Sequence, residues 1–278
     1  MTKEIKFESP SFRQRIKGML GVDLYRLFHT PLFYIFLAIS AIIPAMVSAM
    51  TMMTPKEGGE AVALYSNVWQ IIAAKEPLYV INTIADYANM NMVYIFGGIM
   101  VSIFIGHDYK SGYVKQLFTT HALKQDYMIS KSIVCAFAIV CMCASYFVGG
   151  TVAGLLVGYD TEVNAASLIL AILGKMALSL GWASLFTFLN VIFRRYFGIS
   201  ICSSFFFGTG ILIIGVASIV EALSLPTWFL NAFLYGSSVN ACLTSNIATF
   251  IGAVLTSLIW ALVYNIAGTY ILNSSDVY

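Results

Sequence analysis

Long apolar stretches separated by short polar segments dominate this sequence. Six of them approach or exceed the roughly 20 residues that a helix needs to cross about 30 Å of hydrocarbon. They cover residues 31–51, 88–106, 132–158, 163–193, 197–220 and 246–272. The stretches are too continuous for the alternating pattern of a membrane barrel, so we expect six transmembrane helices.

An amphipathic segment, residues 11–29, precedes the first of these stretches. At helical spacing its apolar side chains share one face and most of its basic side chains share the other. The two sets are Phe12, Ile16, Met19, Leu20, Leu24 and Leu27, and Arg13, Arg15, Lys17 and Arg26. Because the basic face adjoins a membrane span, we expect a helix on the inner membrane surface, with docking on a partner protein as the alternative.

Another apolar segment, residues 222–236, lies before the last span but is too short to cross and contains Pro226, which favours a re-entrant or interfacial pair of short helices. The pattern therefore predicts an all-α polytopic membrane protein with six transmembrane helices, an N-terminal amphipathic surface helix and a re-entrant outer hairpin before the last span. We expect one transmembrane domain, with a segment at 1–30, a six-span bundle at 31–272 and a tail at 273–278.

Composition supports a membrane location and charge orients the chain. With 59% hydrophobic residues, 10% charged residues and a mean hydropathy of +0.84, the sequence is too apolar for an ordinary soluble domain. Lysine and arginine concentrate in cytoplasmic loops. If the N-terminus is inside, twelve such residues are cytoplasmic, whereas only Lys56 and Lys75 are outside. We therefore expect a multi-pass cell-membrane protein with both termini in the cytoplasm.

Three glycines and two charged residues within the spans are candidates for special roles. Gly150, Gly154 and Gly158 follow one another at intervals of four residues, which predicts close helix packing. We favour packing against another helix of the same chain, with a subunit interface as the alternative. Lys175 lies about 28 Å along a helix from Arg194, near the outer interface. There we expect it to extend its ammonium to the interface or to pair with Glu221 or Glu162. A place for Lys175 and Glu221 in an outer gate or translocation path is the alternative.

The sequence predicts no catalytic, cofactor-binding or metal-binding residues. The three histidines form no zinc motif, and no nucleophile elbow is present. The only Gly-Lys pair, Gly174 and Lys175, lacks the first glycine of a phosphate-binding loop. An intramembrane enzyme is therefore not supported, because it would need converging nucleophile, base or metal residues.

A long polar interruption, residues 107–131, separates the second and third spans. Within it Tyr113, Val114, Leu117 and Phe118 recur at helical spacing, which predicts a short amphipathic helix. A simple connection would need only about five residues. This segment therefore builds a cytoplasmic knob with an apolar face.

The arrangement around this knob resembles the membrane subunits of the second class of ABC transporter permeases, which includes bacitracin and lantibiotic exporter or immunity permeases. In that family the second span ends in an acidic residue, followed by a glycine, a short helix, a basic residue and the lysine that opens the third span. The matching positions are Asp108, Gly112, the helix from Tyr113 to Phe118, Lys124 and Lys131. Asp108 replaces the commoner glutamate and Lys124 the commoner arginine.

The resemblance implies that the short helix is a coupling helix seated in a groove of a separate ATPase subunit. The implied coupling residues are Asp108, Lys110, Gly112, Tyr113, Val114, Lys115, Leu117, Phe118 and Lys124. Aromatic and apolar side chains such as Tyr113, Leu117 and Phe118 would be the anchors in that groove. ATP and Mg would be bound by the partner, and this chain would hold no cofactor and would not be an enzyme.

The resemblance further implies a second permease chain, identical or related, because ABC ATPases dimerise on nucleotide. We expect membrane lipid as a further partner and no nucleic acid. The apolar spans favour export of a hydrophobic or amphipathic peptide or lipid-like cargo. The alternative is an ion-coupled secondary transporter, but such carriers usually place carboxylates near the bilayer midplane, where the sequence predicts none.

Overall fold

The computed structural model describes residues 11–52, 67–73, 90–119, 123–224 and 226–274. Within these ranges the chain is helical apart from short connections, and it contains an isolated bridge but no β strand. The predicted all-α class is confirmed.

The helices, in chain order, are α1 (Phe12–Phe28), α2 (Pro31–Met52), α3 (Gln70–Ala73), α4 (Met92–Lys110), α5 (Tyr113–Thr119), α6 (Lys124–Val157), α7 (Ala165–Ile192), α8 (Phe197–Gly208), α9 (Ile211–Ala222), α10 (Leu234–Asn240) and α11 (Ile247–Ser274). A 3₁₀ helix, Thr227–Ala232, precedes α10.

The membrane-spanning elements follow the hydropathy pattern. Four helices, α4, α6, α7 and α11, are each long and apolar enough to cross a bilayer. The count rises to six if α1 with α2, bent by 66°, and α8 with α9, bent by 54°, each form one span. The six predicted stretches correspond to α2, α4, α6, α7, the α8–α9 pair and α11.

The amphipathic segment forms α1, and the Gln14 side chain accepts a hydrogen bond at 2.9 Å from the backbone N–H of Ser11 at its start. One face of α1 packs along α6, with Leu27 buried and Leu24 partly buried. Tyr25, on another face, is exposed. One face of α1 is thus packed against the bundle, while another is left exposed, as a helix at the membrane surface requires.

Glycines allow α6 to approach its neighbours closely. A Cβ on Gly150 would lie 3.1 Å from Ile72, and one on Gly154 would lie 2.8 Å from Val68. Packing within the chain is therefore confirmed for these two glycines. The prediction is wrong for Gly158, which ends α6 with a positive φ of 83° and has open space around it. There glycine is favoured because L side chains rarely adopt that conformation.

The stretch predicted as the fifth span is broken between α8 and α9. Gly210 has a φ of 69°, and a Cβ there would lie 2.2 Å from the ring of Tyr235. Tyr235 belongs to α10, which together with the 3₁₀ helix forms the pair of short helices predicted before the last span. The ring of Tyr235 in α10 therefore packs directly against the joint between α8 and α9.

The bundle has two ends that differ in their polar chemistry. We call one of them the α1 end: it contains the whole of α1 and α5, together with the last turn of α4 and the first turns of α6. The α10 end is the opposite one and holds the start of α4 together with α10. The chain's buried ion pairs lie at the α1 end within the described residues.

Candidate functional site

Four charged side chains converge at the α1 end: Asp23 and Arg26 from α1, Asp108 from α4 and Lys131 from α6. Lys131 Nζ lies 2.7 Å from Asp23 Oδ1, to which it donates a hydrogen bond, and 2.6 Å from Asp108 Oδ2, with which it forms an ion pair. Arg26 binds the other oxygen of Asp108 and lies 3.8 Å from Asp23. We call these four residues the charge cluster.

The cluster has equal numbers of positive and negative charges, and three of its members are buried, whereas the Arg26 side chain is 26% exposed. Lys131 and Asp108 are 0% exposed and Asp23 is 1% exposed. Ser130 Oγ donates a further hydrogen bond of 2.8 Å to Asp23 Oδ2. Removing charges from water costs several kcal/mol per ion, which only good geometry and matching partners offset. Two cations and two carboxylates therefore hold α1, α4 and α6 together as one unit.

Two aromatic rings enclose the cations of the cluster. The Arg26 guanidinium carbon lies 4.3 Å from the centroid of the Tyr113 ring, and Lys131 Nζ lies 4.8 Å from that of Phe104. These distances lie within the range of cation–π attraction. Tyr113 is the first residue of α5, so its ring attaches the short helix to the cluster.

The local electrostatics keep Arg26 charged and Tyr113 neutral. Burial lowers the pKa of Arg26, but its hydrogen bond to Asp108 and the charge of that carboxylate more than offset this, and the pKa is raised overall. Burial, followed by the charge of Asp23, raises the pKa of Tyr113 despite the opposing effect of Lys131. The ring therefore stays a neutral phenol at physiological pH.

The apolar side of α5 faces the chain's own bundle. Val114 is buried in a small core with Tyr127, Met128, Val191 and Leu272. Leu117 and Phe118 are partly buried against the same core. Part of their apolar surface therefore seats α5 on α6, α7 and α11. That Leu117 and Phe118 also anchor a partner's groove stays a prediction.

The exposed side of α5 is polar. Lys115, Gln116 and Thr119 are exposed, in contrast to the inward residues of the same helix. Gly112, with a φ of 74°, makes the turn between α4 and α5. The turn is confined to Ser111 and Gly112, so α5 starts directly beside the cluster.

Two lysines given by the resemblance lie outside the charge cluster. Lys124 donates a hydrogen bond to the backbone carbonyl of Leu272, near the C-terminus of α11. Cations are favourable at that end of a helix. Lys110 is exposed and lies beside the turn that joins α7 to α8. Asp108, Tyr113 and Lys131 are the matching positions that the structure brings together.

Sequence reasoning missed Asp23 and misplaced Arg26. Arg26 was expected on the basic face of α1, opposite the apolar face, whereas the structure turns it towards Asp108. A signal was available for Asp23, because it follows Leu20 by three residues and precedes Leu27 by four, which puts a carboxylate on the apolar face. A second pair, Arg15 with Asp126 at 2.7 Å, also joins α1 to α6.

At the α10 end, Lys175 is buried within the bundle. It is 1% exposed, and its Nζ donates hydrogen bonds to Asn91 Oδ1 at 2.6 Å and to the Ser238 carbonyl oxygen at 3.0 Å. The expectation that its ammonium extends to the interface is therefore wrong. Glu162 is exposed, and the side chain of Glu221 lies outside the described part of the chain. Lys175 connects α7 to the residue before α4 and to α10.

Replacing Lys175 by methionine tests this connection. We expect the free energy of unfolding to fall by about 1–3 kcal/mol, because the buried oxygens of Asn91 and Ser238 lose a donor. Thermal unfolding in detergent would measure the change. Methionine at the exposed Lys17 is the matched control and should leave the midpoint unaltered, whereas equal midpoints for both variants would contradict the assigned role.

Within the described ranges no group of three or more histidine, cysteine, aspartate or glutamate side chains could hold a metal ion. Comparison with protein-family models finds no match, and comparison with curated protein sequences finds none either.

Proposed function

We propose that this chain is the membrane-spanning subunit of an ATP-driven ABC exporter in the cell membrane, with the α1 end and both termini in the cytoplasm. A separate ATPase subunit, which carries ATP and Mg, binds at α5. Two permease chains, identical or related, form the translocation path. The cargo is a hydrophobic or amphipathic molecule, such as a peptide or a lipid-like compound.

The attachment of α5 to the charge cluster is the observation that carries this proposal. The helix lies outside the spans, yet its first two residues contact both α1 and the spans. Tyr113 covers Arg26 of α1, and Val114 is buried beside Val191 of α7 and Leu272 of α11. A force on α5 would act on α1, α4 and α6 together, because separating them would expose or unpair buried charges. Such a rigid connection suits the transmission of a partner's movement into the membrane.

The exposed face of α5 supports docking of a protein partner through polar contacts. Lys115, Gln116 and Thr119 project away from the core that receives Val114. A groove with acidic and hydrogen-bonding groups would complement this surface. The polar side of the helix thus contributes to the contact with the ATPase, while much of the apolar side fixes the helix to the bundle.

Charge reversal at Lys115 tests the proposed contact. From cells that produce the tagged chain, an ATPase with a phosphate-binding loop should co-purify in mild detergent. We expect Lys115→Glu to reduce the recovered ATPase at least tenfold, because a like charge would then face the acidic groove. Quantitative mass spectrometry of the eluate measures the ratio of ATPase to permease.

Lys17→Glu on α1 is the matched control, since it makes the same change of charge at an exposed site of the same end. It should retain the ATPase. Equal retention by both variants would place the contact elsewhere. If the wild-type chain brought down no ATPase and moved cargo in vesicles with only an ion gradient, it would be a secondary transporter and the proposal would fail.

A further inference from the structure

A second basic site lies at the α1 end, apart from the charge cluster. It is a pocket of about 220 Å³ between the last turn of α4 and the turn that joins α7 to α8. Three cationic residues line it: Lys110, Arg194 and Arg195. Among the described residues that line the pocket none is acidic, and the neighbouring Asp108 carboxylate binds Arg26 and Lys131. The pocket therefore has the charge of an anion site.

The floor of the pocket is made of buried polar groups. Asn190 and Ser200, each 2% exposed, line it and are hydrogen-bonded to each other. Asn190 Nδ2 also donates to Ser102 Oγ at 3.0 Å, and Ser102 Oγ donates to Ser204 Oγ at 2.7 Å. This network fixes the floor between α4, α7 and α8, so the pocket is preformed.

Helix α8 begins at the pocket. The residue before it, Tyr196, makes no side-chain hydrogen bond to its first turn. The first N–H groups of a helix have no partner within the helix and carry a partial positive charge. Because Phe197 lines the pocket, these donors favour an anion there, while Lys110, Arg194 and Arg195 offset the partial negative charge of the C-termini of α4 and α7.

Exposed apolar side chains lie close to the pocket along the chain. Phe197, which lines the pocket, is 45% exposed, and Ile192 at the end of α7 and Ile199 in the first turn of α8 are also exposed. The site lies where α4 and α7 end and α8 begins, which is the level of the lipid headgroups for helices that span a bilayer. A free phosphate ion would gain nothing from these side chains, whereas a lipid would place its headgroup on the cations and its acyl chains along α8.

We propose that this pocket binds the phosphate of an anionic phospholipid. Basic pockets between transmembrane helices are suited to such headgroups. Lys110, which the sequence resemblance assigned to coupling, contributes here to lipid binding. The lipid bridges α4 to the turn between α7 and α8, so it fastens the start of the broken fifth span to the bundle.

Native mass spectrometry of the full chain in detergent tests the site. Phosphatidylglycerol and phosphatidylcholine would be titrated separately, and inorganic phosphate at equal concentration would be a third arm. We expect phosphatidylglycerol to bind the wild-type chain preferentially. Because each basic residue near a lipid phosphate contributes about fivefold in affinity, Arg194→Gln with Arg195→Gln should weaken this binding roughly 25-fold.

Two further variants keep the test decisive. Arg194→Lys with Arg195→Lys retains both charges and should retain most of the binding. Arg13→Gln with Lys17→Gln removes two exposed charges from the interfacial helix α1, outside the pocket, and should weaken phosphatidylglycerol binding far less than the double glutamine variant at Arg194 and Arg195. An equal loss in both variants would assign the effect to surface charge and overturn the proposed site.

Equal affinity for both phospholipids, or binding of inorganic phosphate without preference for the lipid, would overturn the proposal. The proposal would also be overturned if the double glutamine variant kept its lipid affinity but lost a co-purifying protein. The pocket would then be a contact site for that protein. If the double glutamine variant were destabilised by the same amount with and without lipid, the two arginines would serve only to stabilise the C-terminus of α7. None of these readouts depends on ATPase binding at Lys115.

Discussion

Replacing Lys131 by methionine is expected to destabilise the purified protein by about 3–5 kcal/mol. Methionine has a similar length but no charge, so Asp23 and Asp108 would remain buried with Arg26 as their only cation in the cluster. An uncompensated buried carboxylate is among the most costly changes that one substitution can make. Unfolding by heat or denaturant in a fixed detergent would measure the loss.

A compensating change distinguishes the charge effect from a packing effect. Adding Asp108→Asn to Lys131→Met restores a balance of one carboxylate and one cation, so the double variant should recover about half of the lost stability. We also expect Lys131→Met to weaken ATPase binding, since the seat of Tyr113 is disturbed. If the double variant were less stable than the single one, the destabilisation would not come from the unpaired charge.

Replacing Gly149 by alanine is expected to cost about 3 kcal/mol, the upper part of the usual range for overpacking. A Cβ at this position would lie 2.1 Å from the backbone carbonyl oxygen of Ala41, so α2 and α6 would have to separate. Neither backbone can move aside as a flexible side chain would. Loss of stability would be measured by thermal unfolding and by the fraction recovered as a single peak in gel filtration.

Gly252→Ala is the matched control for this substitution. Gly252 also lies within a spanning helix, α11, but nothing lies within 4 Å of the position that its Cβ would take. Alanine there should leave stability unchanged or raise it by up to about 1 kcal/mol through better helix propensity. If both variants were destabilised to a similar extent, the loss would come from replacing glycine as such and not from the close contact between Gly149 and Ala41.

Hydropathy was sufficient to predict the spanning elements, because each must present about 20 apolar residues to lipid whatever its neighbours are. The surface helix and the short helices before the last span were predicted for the same reason, from length and periodicity. The breaks were harder to find. The bend at Gly210 depends on a ring of Tyr235 that lies 25 residues further along the chain, and local sequence does not report such a contact.

The site was predicted only in part, because helix faces can be recognised from sequence but their partners cannot. Val114, Leu117 and Phe118 do form an apolar face, yet the bundle itself occupies it. That Lys175 is buried was not predicted, since its partner Asn91 is 84 residues away along the chain. Asp23, in contrast, could have been recognised as a buried charge from its position among leucines.

The broken fifth span affects how this protein is built into a membrane. Helices α8 and α9 have 12 residues each, about 18 Å, and neither alone crosses a hydrocarbon layer about 30 Å thick. Their joint is covered by Tyr235, which is synthesised only after both halves. We therefore expect the joint to be covered only once α10 has been made, so that a nascent chain stopped before residue 235 would leave it open to lipid.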